Sequence, residues 1–528
     1  MFNKKDGISL TGDTEDLSIV LNEKELAELA LIFPNVNSIL IPKKALHSLS
    51  KYVSKRLLKT IDPNLDTAIE KCLLVLSNLA VTYYIDDKWK RLYSGILHEQ
   101  TKTSSNTYVY PQIIEVLKQA TTKGAFIEVD DAYSTGKSKQ YRLTDTYLKG
   151  LEEYTIKDAK IIQRLNSIYY QRLTEAIENP ICRNLIKLYP RVEIPTKEEL
   201  LPIGKQLVKV GYRNKKGKLL TMRNKHKNSY WKDYENRSFV EDNIKIFEYL
   251  TGRGFMIPFA GDEKSGGRVV DSFTLLPLWI REQITINGKK LTECDYSALH
   301  PNIAIKLYKG DEQHITHQKV AERASIKLDK VKIEHLSFFN KKWIGMKGSP
   351  LFKYYQQIEP VMMENIRKDK KEYGYKITSR KMFKVEVDIM TEVIEHLNAN
   401  DIQVLYVYDA LMCEEKDKQI VTDTMNRIIL KHDVKTSVKI DTPVQVETIQ
   451  HKQYRLDEEI NLYDVLPAIS FTIEESMAII CDFDCSKVQM SELIKYIKKQ
   501  YKEQLYNDYH GVRITTKHID ALKATIAA

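Results

Sequence analysis

The sequence predicts an α+β protein, with a mixed catalytic domain following a mostly helical N-terminal region. Three observations carry that expectation. Between residues 235 and 450, strand-like runs such as "LTECD" and "VLYVY" interleave with helical patterns such as "VEVDIMTEVIEHLNAN". Residues 65 to 120 read mainly as helices. And 528 residues are too many for one hydrophobic core, so about three domains are expected.

In chain order, residues 1–60 form a mixed N-terminal segment with a helical "EKELAELALIF". Residues 61–200 read as a helical nucleic-acid-binding domain. Within it, "GAFIEVDDAYSTGKSKQYRLTDTYL" places two β-rich runs around a basic tip that carries Lys137. A helix followed by such a hairpin resembles a winged-helix unit, whose wing touches a nucleic-acid backbone; a generic hairpin is the alternative. The "GKS" in that tip is not a phosphate-binding loop, because Asp131 stands where glycine is needed and a strand follows. "GDEKSGGR" fails for a like reason, since Arg268 sits where Lys-Ser/Thr should begin. Residues 201–234 read as a basic linker, 235–450 as the catalytic domain, and 451–528 as a mostly helical tail exemplified by "SELIKYIKKQYKEQL". Such a tail suits packing or docking.

Composition narrows the class. The chain is 43% hydrophobic and 29% charged, as expected of a globular protein. Its longest apolar run, "CLLVLSNLAVTYYI", is too short and interrupted to span a bilayer. Cys72, Cys182, Cys294, Cys413, Cys481 and Cys485 are scattered, which fits a reducing cytoplasm better than a disulfide framework. The net charge of +10 is unevenly spread. From Lys205 to Lys232 there are ten Lys or Arg and no acid, with Tyr212, Tyr230 and Trp231 interleaved. From Lys341 to Lys384 there are twelve basic and four acidic residues. Blocks of this kind neutralise phosphates, and the aromatics can stack on bases. Lys215, Lys216, Lys218 and Arg223 are the expected contacts.

Two acids stand in similar settings. In "LTECDYSALHPNIA" a short alternation delivers Asp295 at its end, and a helix-like run follows. By itself this could be a strand-to-helix junction capped by Asp295. In "DIQVLYVYDALMCEEKD" a β-rich run ends at Tyr408 and Asp409 falls at the turn of a hairpin. The helix before it presents Ile389, Val393 and Leu397 on one face for packing under the sheet. Two carboxylates on adjacent strand ends can hold two Mg²⁺ ions (or Mn²⁺), which clamp the oxygens of a phosphoryl transfer. Between the acids, "KLDKVKIEHLSFFNKKW" spaces Lys332, Leu336 and Asn340 by four residues, as on one helical face. A lysine there can meet nucleotide phosphates.

On these residues the chain resembles the A-family DNA polymerases and the related single-subunit RNA polymerases. "DYSALHPNI" is similar to their first palm motif and "VLYVYDALMCEE" to their last, which implies Asp295 and Asp409 as metal ligands. "KVKIEHLSFFN" resembles the fingers helix, implying Lys332 as the triphosphate lysine and Asn340 on the template side. "SGGRVVDSF" resembles the upstream glycine-arginine motif, implying Arg268 on the nucleic-acid backbone. Tyr296 and His300 would border the nucleotide. The whole stretch from Gly266 resembles polymerase-like primases of mobile genetic elements, and the resemblance covers about residues 235 to 445.

The sequence departs from the family in several places. Tyr408 stands where histidine is usual. Ala410 removes a third palm carboxylate, with Glu414 and Glu415 nearby. Leu328 replaces an arginine, with Arg323 or Lys327 as substitutes, and His300 replaces the glutamate that excludes the ribose 2′-OH. The resemblance thus implies a right-hand palm-and-fingers nucleotidyltransferase, most simply a primase or DNA polymerase. Its partners would be single-stranded or primed DNA, nucleoside triphosphates, a small accessory subunit and a replicative helicase. The alternatives are a single-subunit RNA polymerase and a DNA-binding protein with a degenerate palm.

Overall fold

A computed structural model describes residues 37–441 apart from 85–88, 104–106, 120, 131–137, 224–235 and 313, together with four two-residue strands beyond them. The hairpin tip with Lys137, the helical patterns at 23–33 and 491–505, and Cys481 and Cys485 lie outside the described residues. The chain divides into two units, Met1–Val446 and Glu447–Ala528. In the second, Tyr454–Arg455 pairs in parallel with Phe483–Asp484, and Ser470–Phe471 pairs antiparallel with Val512–Arg513.

The first unit holds two hydrophobic cores. The smaller runs from Ile39 to Ile161. Its centre is α1 (Leu65–Ser77), whose residues Ala68 to Leu76 are all buried. Asn64 caps that helix by accepting from the Asp66 and Thr67 N–H groups. Glu70, although buried, is satisfied by the Tyr154 hydroxyl at 2.8 Å and the Lys157 and Asp158 N–H groups at 2.7 and 2.9 Å. After α1 come β2 (Lys90–Arg91), α2 (Ser94–Thr101), α3 (Tyr110–Lys118), β3 (Ile127–Asp130) and β4 (Gln140–Leu143). The three strands form an antiparallel sheet with β4 in the middle. Separately, β1 (Ser38–Pro42) pairs with β5 (Leu151–Thr155), closing residues before α1 onto the same core.

The larger core runs from Tyr169 to Val434. Helix α4 (Ala159–Glu178) joins both, with Ile161 in the first core and Tyr169, Leu173 and Ala176 in the second. The division therefore falls inside a helix, well before residue 200. The expected basic linker at 201–234 is also corrected over its described part. Helix α6 (Lys197–Lys209) buries Leu200 and Leu207, and β7 (Leu219–Thr221) buries Leu220 and pairs in parallel with β8 (Arg237–Phe239). Its apolar residues place it in the core, while Lys215, Lys216 and Lys218 lie on the turn between α6 and β7.

The central sheet has the order β11 (Leu405–Val407), β12 (Ala410–Glu414), β10 (Lys289–Tyr296), β9 (Thr285–Ile286), β6 (Val192–Glu193). β13 (Val438–Asp441) flanks the C-terminal half of β10 on the edge away from β12. Under the sheet lies α13 (Ile377–Asn398), whose Ile389, Val393 and Leu397 are fully buried, as their spacing predicts. Around it pack α5 (Pro180–Leu188), α8 (Leu299–Tyr308) and α14 (Lys418–Lys431). The segment between the two acids forms α9 (His317–Ala324), α10 (Leu328–His335), α11 (Phe352–Ile358) and α12 (Pro360–Tyr373). Asn302 of α8 anchors α9 by exchanging two 2.8 Å hydrogen bonds with the Ile315 backbone. Among the described residues no helix is long and apolar enough to cross a membrane.

The single helical face expected through Lys332, Leu336 and Asn340 is not formed. Helix α10 ends at His335, and a separate 3₁₀ turn spans Phe338–Asn340. The cause is packing: Phe338 and Phe339 are both buried, and Phe338 stacks on Tyr355 at 5.2 Å.

Candidate active site

Asp295 is the penultimate residue of β10, between two neighbours. Ala410 of β12 lies opposite on one side and Lys439 of β13 on the other. It is 9% exposed. Lys439 Nζ stands 3.0 Å from its Oδ2. Lys215, paired with Glu293 at 3.0 Å, adds a second positive charge to its surroundings. The Asp295 carboxyl is pushed up to about 7, first by burial and then by the charge of Asp409, with Lys439 and Lys215 pulling the other way. Asp295 does not cap the next helix. The chain turns through Ala298, left-handed at φ 50°, and α8 starts at Leu299 without a side-chain cap.

Asp409 sits in the two-residue turn between β11 and β12, where Val407 faces Ala410. Its carbonyl accepts from the Tyr296 N–H at 3.2 Å, so the two acids occupy neighbouring strand ends. Tyr408 is left-handed at φ 59°, a conformation costly for an aromatic residue and normally given to glycine. The Asp409 carboxyl is raised by burial and by Glu386, while His300 and Arg268 lower it.

Glu386 is the acid that the sequence reading missed. It lies on α13 with no exposed surface. Arg268 donates to both its oxygens, at 2.8 Å to Oε1 and 2.5 Å to Oε2, and His300 Nε2 lies 2.7 Å from Oε2. Burial raises the Glu386 carboxyl, but Arg268 and His300 together outweigh it and hold the group below the usual range. Arg268 also lies 3.6 Å above the Phe383 ring and 4.6 Å from that of Tyr408. Its guanidinium is thus committed inside the protein instead of reaching out to a nucleic-acid backbone. Gly266 makes this possible: a Cβ there would meet Phe383 Cβ at 2.4 Å and Lys384 N at 2.8 Å, and φ is +67°. One signal was available, an acid at helical spacing with Ile389, Met390 and Val393 on a face otherwise apolar. Glu414 and Glu415 do not take this role. Glu414 pairs with Lys289 and Lys416, and Glu415 accepts from Thr292.

Lys332 is exposed on α10. Its charge and that of Lys439 both act on His317, which burial foremost and then these two cations push down to about 4. His317 Nδ1 lies 2.8 Å from His335 Nδ1, and His335 Nε2 lies 2.7 Å from the Tyr355 hydroxyl. The basic turn 214–218 rests against the same helix, since a Cβ on Gly217 would meet Ile333 Cδ1 at 3.1 Å. The structure thereby gathers Asp295, Asp409, His300, Arg268 and Lys215, while Lys332 and Lys439 share an electrostatic influence on His317.

Other expected residues lie elsewhere. Tyr296 is buried, and its hydroxyl donates to the Met425 carbonyl at 2.7 Å, which turns the ring into the core instead of toward a nucleotide. Arg323 is exposed and paired with Glu312. Arg223 donates through Nε to Asp242 at 2.7 Å and lies 4.9 Å from the Phe239 ring. Asn340 buries its Oδ1 without a hydrogen-bond partner. Lys216 is exposed and Lys218 half-buried, and both donate backbone N–H groups to Asn214 Oδ1.

Among the described residues no cluster of three or more His, Cys, Asp or Glu side chains could hold a metal. The donor set at the site is two carboxylates. That suits Mg²⁺, which keeps most of its positions for water and substrate phosphates and takes one or two carboxylates from the protein.

No family model and no curated protein matches the chain. Among solved structures, one that it resembles is the POL domain of Pol1 from M. smegmatis, in complex with DNA primer-template and dNTP. The identity is 11% and the TM-score 0.35, over 69% of this chain and 80% of that one.

Proposed function

We propose that the protein is a template-directed nucleotidyltransferase, a primase or DNA polymerase, with β10–β13 as its palm and α9–α11 as its fingers. The observation that carries this reading is the placement of Asp295 and Asp409 on adjacent strand ends, under lysines. Two like charges are held at one point of a buried sheet, an arrangement that costs stability and suits a site for cations. Asp295 and Asp409 would hold Mg²⁺, which when bound supplies a Lewis acid for phosphoryl transfer. Lys332 binds the triphosphate and protonates the leaving pyrophosphate. His300, fixed by Glu386, borders the nucleotide sugar. Arg268 orients Glu386, His300 and Tyr408.

DNA would be gripped by the basic turn at Lys215, Lys216 and Lys218. The order helix, strand, two helices, hairpin from α1 to β4 is that of a winged helix, which supports a second DNA contact there. The likeness to mobile-element primases, and with it an accessory subunit, a helicase and a cytoplasmic setting, belongs to the same proposal.

The test is nucleotide incorporation on single-stranded DNA with and without an annealed primer, with NTPs and dNTPs in separate reactions. Products absent from an Asp295→Ala, Asp409→Ala double variant support the reading, and primer independence identifies a primase. No product under any of these conditions, despite DNA binding, would favour a palm that only binds.

A further inference from the structure

Lys439 belongs to none of the sequence patterns above, yet among the described residues it is the cation that pairs with Asp295. The two face each other directly across the β10–β13 ladder. Nζ stands 3.0 Å from Oδ2 although the lysine side chain is 47% exposed. An ammonium on a flexible stem with that exposure can leave without disturbing the core. On its other side Lys439 acts on His317, the imidazole that also feels Lys332. His317 is tied through Nδ1 to His335, and His335 to the buried Tyr355, so this ring is held in place. Lys439 therefore touches Asp295 directly and shares with Lys332 an influence on His317, which puts it within reach of a triphosphate bound at both.

We propose that Lys439 is a resident counter-ion that occupies the divalent-cation position at Asp295, swings away when the cation binds, and then takes a phosphate oxygen of the nucleotide beside Lys332. The inference rests on the function proposed above. An ammonium and a divalent cation compete for the same carboxylate oxygen, so one lysine would oppose metal binding alone and favour phosphate binding. A residue that merely braced the sheet would move both in one direction.

The experiment measures Mn²⁺ binding by electron paramagnetic resonance, and inorganic pyrophosphate binding in saturating Mn²⁺ by calorimetry, on the full chain. Lys439→Met is expected to bind Mn²⁺ about fivefold more tightly, as for a partly exposed ion pair, and pyrophosphate about tenfold more weakly, as for one lost charged hydrogen bond. Lys439→Arg is expected to return both constants toward wild type. Unchanged or weaker Mn²⁺ binding in Lys439→Met, or unchanged pyrophosphate binding, would overturn the inference. Mn²⁺ binding by the wild type that survives Asp295→Ala would instead overturn the reading of the site itself.

Discussion

His300 Nε2 and Glu386 Oε2 lie 2.7 Å apart, across 86 residues of sequence, and the same buried carboxylate accepts two hydrogen bonds from Arg268. One side chain thus ties α8, α13 and the glycine-arginine loop together beside Asp409. Removing it would strand a half-buried guanidinium. Glu386→Ala is expected to cost about 3–5 kcal/mol of stability, the range for breaking a buried ion pair on one side. Urea unfolding measures this, and a loss below about 1 kcal/mol would mean that water reaches Arg268 and replaces the carboxylate.

Asp295 links the site to pH. Its folded carboxyl is raised to about 7, against about 3.9 when unfolded. A raised carboxyl contributes stability that is fully present below the unfolded value and lost as pH rises through the folded one. The metal-free protein should therefore gain on the order of 2 kcal/mol at pH 8 from Asp295→Asn, with the gain gone by pH 4. Scanning calorimetry without divalent ions reads it, and a variant less stable at pH 8 would contradict the account. The same variant should lose nucleotide incorporation.

The His317–His335 pair works in the opposite sense. Both are pushed down, to about 4 and about 3, chiefly by burial. A depressed folded value contributes stability present above the unfolded pKa of about 6.5 and lost as pH falls toward the folded values. Acidification from pH 7 to 4.5 should lower the Tm of the wild type more steeply than that of a His317→Gln, His335→Gln double variant. Parallel curves would assign the acid sensitivity to other groups.

Neutralising Lys215, Lys216 and Lys218 should weaken DNA binding uniformly across sequences and reduce the slope of log affinity against log salt by about 2–3. Fluorescence anisotropy at several salt concentrations measures it. An unchanged slope would remove the turn from the interface.

Part of this site was legible in advance. An alternating run ending in Asp295, a two-residue turn holding Asp409, and a helix face of Ile389, Val393 and Leu397 are local patterns, and each appears where its spacing places it. The extent of α10 was not legible, because Phe338 and Phe339 end its helical run by turning into the core, a demand set by Tyr355. Tyr296 was misjudged for a similar reason: strand alternation gives it a face, but only the packing of α14 supplies the Met425 carbonyl that receives its hydroxyl.

By itself the sequence determined the α+β character of residues 235–441, the strand ends that carry both acids, and the basic stretch at 205–218, since these depend on periodicity and composition within short windows. The tertiary structure alone decided that Lys439 would face Asp295, that Glu386 would hold Arg268 and His300, and that His317 would meet His335. Those relationships require a strand register and helix packing between segments far apart in the chain. No local pattern encodes them, because the energy that selects them comes from burying the whole sheet at once.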